Sequence, residues 1–384
     1  MKSGLYIHVP FCLKKCDYCD FYSEITEPTR IEKFLNACTG EIELYGDNPI
    51  FSQTEFHTLY FGGGTPSILS AKQIDKIVQS VESVFNLTKN FEFTIEANPD
   101  TISFSRLTDY RLIGINRLSL GIQSFCDSEL HTLGRIHHAD QAKKCIEWAY
   151  QVGFENINLD LIFAIPGQTL YEWQTNLEQA IQYKPEHLSI YCLTIEPGTQ
   201  MERLILAGEL YKVSEEIERE MYFWSIDTLS KAGYQQYEIS NFALTGFECK
   251  HNLMYWNGSP YLGIGPSAHS FWNGHRQWNL NSIKHYLKSL KTGKKPIADQ
   301  EALSQEQKIL EFLYLNLRTT HGVDIQQFED LFNLSFTRKF GNVLEHLQGY
   351  PNVELFDLKE NKLKLTTNGF VLFDEICQYF ADEI

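Results

Sequence analysis

The first half of the chain alternates between short apolar runs and longer amphipathic stretches. Six short runs are rich in β-branched and aromatic residues and end at glycine, proline or a polar cluster, which is typical of strands. These runs are LYIHVPF, FHTLYFGG, FEFTIEA, NRLSLGIQSF, INLDLIFAIPG and HLSIYCLTI. The stretches between them repeat apolar residues at three- and four-residue steps, as helices do. Examples are AKQIDKIVQSVESVF, FSRLTDYRLIG, HADQAKKCIEWAYQVG and TLYEWQTNLEQAIQY.

The alternation of strand and helix predicts six parallel β/α units. Six units are too few to close an eight-stranded barrel, so the predicted fold is α/β, an open (β/α)6 partial TIM barrel. A doubly wound parallel sheet is the alternative, because the same alternation occurs in that fold.

Polar residues stand where the predicted strands end. The turn GGGT (62–65) follows the second strand, the third ends at Glu96, and the fourth ends near Gln123. Arg135 lies in the next loop and Asp160 within the fifth strand. Each of these alone is explained by a turn or a helix cap. Since α/β folds bind their ligands at the carboxyl ends of the strands, the recurrence predicts a ligand site there.

Composition narrows the class of protein. The chain has 384 residues, of which 43% are hydrophobic and 21% charged, as in ordinary soluble globular proteins. No segment has the apolar length of an integral membrane span, and the N-terminus lacks the hydrophobic run of a signal peptide, so we expect a cytoplasmic protein. A formal net charge of −16 argues against nonspecific binding to nucleic acid.

The cysteines point to a metal site. An odd number, nine, in a chain of this size argues against a disulfide framework. Within HVPFCLKKCDYCDFYS, residues Cys12, Cys16 and Cys19 have C-x3-C-x2-C spacing. Three thiolates suit zinc if a further ligand such as His8 joins them, or three irons of a [4Fe–4S] cluster whose fourth iron stays open. The tight spacing favours the cluster, because structural zinc sites typically use C-x2-C pairs.

This loop, with Tyr18 before its third cysteine, resembles that of the radical S-adenosylmethionine (SAM) superfamily. The stretches LYIHVPFC, YFGGGTPS, IEANPD, GIQSF, GRIHH and DLIFAIPGQT resemble its oxygen-independent coproporphyrinogen III dehydrogenases, and the likeness covers most of the chain. It implies that the three cysteines hold a [4Fe–4S] cluster whose open iron is chelated by the amine and carboxylate of SAM. It also implies a SAM pocket lined by Tyr6, Gly63, Gly64, Thr65, Glu96, Gln123, Arg135 and Asp160.

The chemistry of these residues agrees with that ligand. Glycine lets the backbone approach a zwitterion closely. Carboxylates suit an ammonium group and ribose hydroxyls, and arginine suits a carboxylate.

Two departures separate the chain from those dehydrogenases, which carry C-x3-C-x2-C-x-C. Phe21 stands where their final cysteine would be. The stretch CKHNLMYWNGSPYLGIGPSAHSF contains H-N-x-x-Y-W at 251–256, a signature similar to that of haem chaperones of the HemW type. Histidine is a common axial ligand of haem iron, and tyrosine and tryptophan offer flat surfaces for a porphyrin. The resemblance therefore implies that His251 binds haem; the alternative is that His251, Tyr255 and Trp256 pack a corner of the barrel.

The other histidines give weaker evidence for a ligand site. His269 follows a glycine-rich turn, which is consistent with a structural role, and His8 is expected to form hydrogen bonds near the cysteine loop. His137 and His138 are adjacent, so their side chains do not converge on one face of a helix or strand.

The C-terminal third predicts a second domain. KTGKKPIAD (291–299) is a polar linker by composition, and three helical patterns and a strand pair follow it, as in a winged-helix module. From residue 301 onward there are seven Lys and Arg and fourteen Asp and Glu, which opposes DNA binding. The family resemblance implies a lid or docking role for this domain instead. We therefore predict a barrel core (1–235), an extension carrying the H-N-x-x-Y-W motif (236–290), and a smaller α+β domain (300–384).

The leading hypothesis is a radical SAM haem chaperone that binds haem and passes it to acceptor haemoproteins, with transient docking where the acceptor lies in a membrane. It carries [4Fe–4S], SAM and haem and contacts no nucleic acid. One alternative is a coproporphyrinogen III dehydrogenase. Another is a related radical SAM methylase.

Overall fold

Six parallel strands form the centre of the fold. A computed structural model of the protein describes residues 2–351 and 353–384. The central strands are β1 (Ser3–Val9), β2 (Glu55–Gly63), β3 (Asn86–Ala97), β4 (Arg117–Gln123), β5 (Ile157–Phe163) and β6 (His187–Cys192). Each pairs in parallel with the next in chain order. This order confirms the open barrel, because a doubly wound sheet reverses its strand order partway across.

Helices follow the strands and cover the outside of the sheet. They are α1 (Pro28–Gly46), α2 (Ala71–Val84), α3 (Phe104–Leu112), α4 (Ala139–Gln151), α5 (Leu170–Gln182) and α6 (Glu215–Lys231). Helices α2 and α5 begin with capping boxes at Ser70 and Thr169, whose hydroxyls accept hydrogen bonds from the backbone of the first turn. Shorter helical segments are Pro49–Ser52, Pro66–Ile68, Pro99–Thr101, Asp127–Thr132 and Gln200–Leu206.

The sheet continues beyond both edges of the six strands. At one edge β7 (Asn241–Ala243) pairs antiparallel with β6, and Gln235–Gln236 pairs with β7. After α7 (Lys250–Trp256), strand β8 (Tyr261–Ile264) pairs in parallel with β1 at the other edge. Strands β9 (His269–Trp272), β10 (His275–Asn279) and β11 (Ile297–Ala302) then follow in antiparallel order, with α8 (Ile283–Lys291) between the last two.

The predicted linker at 291–299 is partly wrong. Its first residue ends α8, and its last three residues belong to β11, which pairs with β10. Composition misled the prediction because an edge strand with one exposed face has the polar residues of a loop.

The C-terminal segment has a winged-helix arrangement. Helices α9 (Gln305–Leu317), α10 (Ile325–Phe332) and α11 (Phe336–Gln348) pack beside a small antiparallel sheet of Val323–Asp324, Lys362–Leu365 and Phe356–Lys359. Helical segments Thr367–Val371 and Phe373–Asp382 follow. Within the described ranges, no helix is both long and apolar enough to cross a membrane.

A buried carboxylate joins α1 to the sheet extension. Glu41 is fully buried and accepts hydrogen bonds from Gly265 N (2.9 Å), Asn279 Nδ2 (2.6 Å) and Tyr286 Oη (2.6 Å). Burial raises the pKa of Glu41 to about 7, and these three donors act against that rise. Glu41 therefore fixes β8, β10 and α8 against the barrel.

We predict that Glu41→Ala lowers the free energy of unfolding by about 3 kcal/mol or more, because it leaves three buried donors without an acceptor. Chemical denaturation monitored by circular dichroism measures this loss. Glu43→Ala is the matched control, since Glu43 is exposed on the same helix and its removal should cost less than about 0.5 kcal/mol. Equal losses in the two variants would contradict this role of Glu41.

Candidate functional site

The cysteine loop follows β1 at the carboxyl ends of the parallel strands. Cys12 is buried in the short strand Phe11–Cys12, which pairs with Glu24–Ile25, whereas Cys16 and Cys19 are half-buried. The Cys12 Sγ accepts a hydrogen bond from Thr65 Oγ1 at 3.4 Å. The first element of the loop is therefore fixed both by strand pairing and by the turn that follows β2.

The glycine turn after β2 lies directly against this loop. A Cβ on Gly64 would lie 2.7 Å from the carbonyl oxygen of Phe11 and 3.1 Å from Cys12 Sγ. At Gly63 φ is +110°, and a Cβ would lie 2.7 Å from the His8 ring. Glycine is therefore required here so that two protein segments can pack together, in addition to any approach of a ligand.

Loop and strand ends together enclose a cavity of about 430 Å³. All but two of the residues assigned to a site from the sequence line this cavity. They are Cys12, Cys16, Cys19, Gly63, Gly64, Thr65, Glu96, Gln123, Arg135 and Asp160. The two that do not line it are Tyr6 and His251. The sequence roles of these residues stay predictions, but the cavity brings ten of them together.

Two carboxyl groups, Glu96 and Asp160, face this cavity, and neither forms a salt bridge with the part of the chain that the structure describes. Glu96 accepts hydrogen bonds from Tyr60 Oη (2.8 Å) and Gly63 N (3.2 Å). The pKa of Glu96 is raised to about 7, mainly because the carboxyl group is buried. Asp160 accepts from Ser119 Oγ (2.9 Å) and Asn158 Nδ2 (2.9 Å), and burial raises its pKa as well. A bound cation or a set of hydroxyl donors would stabilise both carboxylates in their ionised form.

Arg135 crosses from its loop to the cysteines. Its Nη1 donates to Cys16 Sγ at 3.4 Å, and its Nη2 donates to Asn98 Oδ1 (2.8 Å) and to the carbonyl of Gly121 (2.9 Å). Asn98 Nδ2 in turn donates to Thr65 Oγ1 at 3.0 Å. A continuous hydrogen-bond chain therefore connects Cys16 with Cys12 through Arg135, Asn98 and Thr65.

The backbone is strained at the end of β4, where Gln123 lines the cavity. Gln123 has φ of 65°, a region that residues other than glycine rarely adopt, and the register with β5 shifts between Gly121 and Gln123. Such irregularities concentrate at binding and catalytic sites, because the surrounding structure has to hold them in place.

Three cysteine thiols on one loop beside a cavity are a donor set that suits an iron–sulfur cluster with one open iron. Among residues 2–351 and 353–384, no three His, Cys, Asp or Glu side chains are arranged about one point that would suit a metal ion. In a cubane each thiolate binds a different iron, and the open side of this loop faces the cavity.

A second cavity, of about 530 Å³, adjoins the first. Phe21, Gly63 and Glu96 line both cavities, and the Phe21 side chain is exposed at 65%. Tyr6 lines only the second cavity, so it does not reach the cavity that holds the other predicted SAM residues. The remaining wall of the second cavity is largely aromatic, with residues from α7, β8, β9 and β10, and it is completed by two residues of α9.

His251 is buried inside the barrel, away from the cysteine end. Its Nδ1 bonds with Thr58 Oγ1 at 2.7 Å and its Nε2 with Tyr255 Oη at 2.8 Å. Thr58 precedes Gly63 by five residues along β2, which is roughly 16 Å of strand. Because both ring nitrogens are bonded, the imidazole has no free lone pair for iron in this arrangement. This geometry favours the packing alternative for His251, with the ring holding Tyr255 at the second cavity.

The neighbouring tryptophan of the same motif, Trp256, contacts the end of α9. The guanidinium of Arg318 lies 3.9 Å from the centre of the Trp256 ring, and its Nη2 pairs with the fully buried Glu238 at 2.9 Å. Such a stacked and paired guanidinium is a strong contact when it is shielded from water. The motif therefore links the barrel to α9 as well as lining the second cavity.

Asn98, Tyr191 and His269 are among the cavity residues that were not assigned to a site from the sequence. Asn98 and Tyr191 line the first cavity, and His269 lines the second. Asn98 and Tyr191 lie in or directly after the strands β3 and β6, and the rule that found Glu96 could have found them. His269 had no such signal, because nothing in the sequence indicates which face of its strand it occupies.

Comparison with protein families gives two matches along the chain. Residues 6–180 match the model of the radical SAM superfamily, and residues 303–372 match that of the HemN C-terminal domain. The first match spans the cysteine loop and strands β2 to β5. The second lies in the winged-helix segment.

Curated relatives match over nearly the whole length. The chain is 36% identical to "Heme chaperone HemW" of Bacillus subtilis, covering 100% of both chains. It is 35% identical to the protein of the same name from Lactococcus lactis, covering 98% of this chain and 97% of that one. It is also 30% identical to "Radical S-adenosyl methionine domain-containing protein 1, mitochondrial" of Danio rerio, covering 98% and 86%.

Among solved structures, the Escherichia coli coproporphyrinogen III oxidase HemN, described as a radical SAM enzyme, superposes with a TM-score of 0.86. Sequence identity is 25%, and the match covers 100% of this chain and 91% of that one. The two proteins therefore share the barrel and the C-terminal segment.

Proposed function

Because the chain belongs to the radical SAM superfamily, and within it to the family of HemW proteins, we propose that it is a haem chaperone that binds haem and delivers it to acceptor haemoproteins. The observation that carries this proposal is the 36% identity to a protein named "Heme chaperone HemW" across the full length of both chains. The relatives are named as haem chaperones. That this chain binds haem and transfers it is our proposal.

Membership of the superfamily implies a [4Fe–4S] cluster and SAM. We propose that Cys12, Cys16 and Cys19 hold the cluster and that the 430 Å³ cavity receives SAM. When bound, the cluster would supply one electron for chemistry on SAM. The protein's part is to hold the ligand: Glu96 and Asp160 offer anionic acceptors, and Arg135 braces the loop through Cys16.

Haem, in this proposal, binds in the adjoining 530 Å³ cavity, which falls within the usual size of ligand sites. Tyr255 and Tyr261 meet there edge to face with ring centres 4.7 Å apart, and Trp256 continues the wall. Flat aromatic surfaces suit a porphyrin. The shared wall would place haem beside the cluster, with Phe21 between them.

A second candidate function is coproporphyrinogen III dehydrogenation. The TM-score of 0.86 with HemN favours it, since the same scaffold supports that chemistry in the solved structure. Phe21 opposes it, because the dehydrogenase pattern has cysteine there.

Transfer of haem to an acceptor haemoprotein and a cytoplasmic location stay predictions.

An anaerobic preparation distinguishes the two functions. We expect the protein with its cluster to bind haem and to leave coproporphyrinogen III unconverted under reducing, SAM-replete conditions. Phe21→Cys should not create that activity, because one cysteine does not rebuild the wall of a substrate cavity. Turnover by the unmodified protein, measured by chromatography of the porphyrin products, would overturn the chaperone proposal.

The cluster gives a direct prediction. Replacing Cys12, Cys16 or Cys19 with Ala should abolish the iron–sulfur absorption of reconstituted protein, because each thiolate holds one iron. Cys126→Ala is the matched control, since Cys126 is also half-buried but does not line the cavity. Zinc without iron in anaerobically reconstituted protein would contradict the assignment.

The SAM cavity gives a prediction with a pH dependence. Glu96→Ala or Asp160→Ala should weaken SAM binding about tenfold or more while the cluster stays assembled, because a hydrogen bond to a charged group contributes about 1.5–3 kcal/mol. With a pKa of about 7, Glu96 is protonated in acid and ionises as the pH rises, so SAM affinity should increase between about pH 6 and 8. Calorimetric titration at several pH values measures both effects.

Glu96→Gln serves as the control for the pH dependence. It keeps the shape of the side chain but cannot ionise, so the ratio of its affinity to that of the unmodified protein should fall as the pH rises. A constant ratio would show that another group, such as the amine of SAM itself, causes the pH dependence.

A further inference from the structure

The hairpin of β9 and β10 turns one defined face toward the second cavity. In its antiparallel register His269 lies opposite Trp278, and Phe271 lies opposite Arg276. Paired residues point to the same side of a sheet, and residues two apart along a strand share that side. These four side chains therefore occupy one face, and His269, Phe271 and Arg276 line the cavity.

The opposite face of the hairpin is used for packing. Ser270 Oγ accepts from Gly263 N at 2.9 Å, and Gln277 Nε2 donates to Tyr45 Oη at 2.7 Å. Trp272 packs on Phe51 with ring centres 4.9 Å apart. The hairpin is thus held from behind, which fixes the orientation of the cavity face.

Two of the three histidines near this cavity have both ring nitrogens engaged. His251 bonds with Thr58 and Tyr255, as described above. In His8, Nε2 lies 3.0 Å from the carbonyl oxygen of Tyr22, and Nδ1 lies 3.3 Å from Tyr6 Oη. Neither ring has a lone pair free for a metal in this arrangement.

His269 differs from both. It lines the cavity and is exposed, and within the described ranges its ring nitrogens form no hydrogen bond with protein. Its ring stacks on Trp278 with centres 6.0 Å apart, which orients it. Partial desolvation of the ring first, and the nearby charge of Arg276 second, lower the pKa of His269, which favours the neutral ring, and a neutral ring keeps a lone pair for iron.

Arg276 supplies a positive charge on the same face. Its Nη2 donates to Glu311 Oε2 of α9 at 2.6 Å, which fixes the guanidinium. Its Nη1 is 3.8 Å from Glu301, beyond hydrogen-bond distance, and the side chain is 42% exposed. A guanidinium that is hydrogen-bonded to only one of its two neighbouring carboxylates still has N–H donors for a further one, such as a porphyrin propionate.

We propose that His269 is the axial ligand of haem in the second cavity and that Arg276 binds a haem propionate, an inference that rests on the proposed haem-chaperone function. The site lies on the hairpin face, within the sheet extension. His251 then acts as a positioning residue, which holds Tyr255 in the cavity wall.

The test uses full-length, anaerobically reconstituted protein titrated with ferric haem. Difference spectra against the same protein without haem isolate the Soret band from the cluster absorption. His269→Ala should shift the Soret band and raise the Kd for haem about tenfold or more. Added imidazole should restore the band, because it fills the space left by the side chain. His269→Met should bind with a different Soret position, since a thioether replaces the imidazole.

Control variants separate ligation from folding. His275→Ala is the matched control, because His275 is exposed on the same hairpin and does not line the cavity. It should leave the spectrum and Kd unchanged. His251→Ala should lower the melting temperature, since it removes two buried hydrogen bonds, and keep the Soret position. Arg276→Gln should weaken haem binding several-fold, also without a Soret shift.

The outcomes test the assignment of His269 as haem ligand separately from the proposed haem-chaperone function. An unchanged Soret band and Kd in a folded His269→Ala protein would overturn the ligand assignment and leave the haem-chaperone proposal standing. A Soret shift in His251→Ala instead would transfer the ligand role to His251. If the unmodified protein binds no haem, both the inference and the proposed function fail.

Discussion

The close packing of the glycine turn against the cysteine loop is the contact on which the rest of the site depends. Gly64 has no room for a Cβ, because the backbone of Phe11 and the sulfur of Cys12 occupy that space. This approach is possible because β1 and β2 are adjacent parallel strands in register from Gly4 to Val9. The carboxyl ends of neighbouring strands meet at one end of the sheet, so their loops form a common cavity.

The electrostatics of that cavity disfavour the ionised form of its two carboxyl groups. Glu96 and Asp160 are buried carboxyl groups whose pKa values are raised, which means that ionising them without a ligand costs free energy. A ligand that brings positive charge or hydroxyl donors recovers part of that cost. Arg135, in contrast, is already committed to Cys16, Asn98 and Gly121, and its role is to hold the loop in place.

The second cavity depends on contacts that join distant segments. Its wall includes α9, which Arg318 fixes to the barrel through Trp256 and Glu238. Glu41 fixes the hairpin side through Gly265 and Asn279. One motif in the sequence thus performs three structural tasks: His251 holds Tyr255, Tyr255 lines the cavity, and Trp256 holds the C-terminal segment. This division explains why the histidine of the H-N-x-x-Y-W motif lies buried with both nitrogens bonded.

The sequence by itself determined the six strands, their helices and the cysteine loop, because these features depend on local periodicity and spacing. It also located the residues at the ends of strands, since β/α alternation already defines the end at which parallel strands present their ligands. Only the tertiary structure decided which histidine faces a cavity. The partner of His251 Nδ1 is Thr58, 193 residues away, and no local pattern records such a bond. For the same reason composition took β11 for a linker: its backbone partners lie in β10, and pairing rather than hydrophobicity makes it a strand.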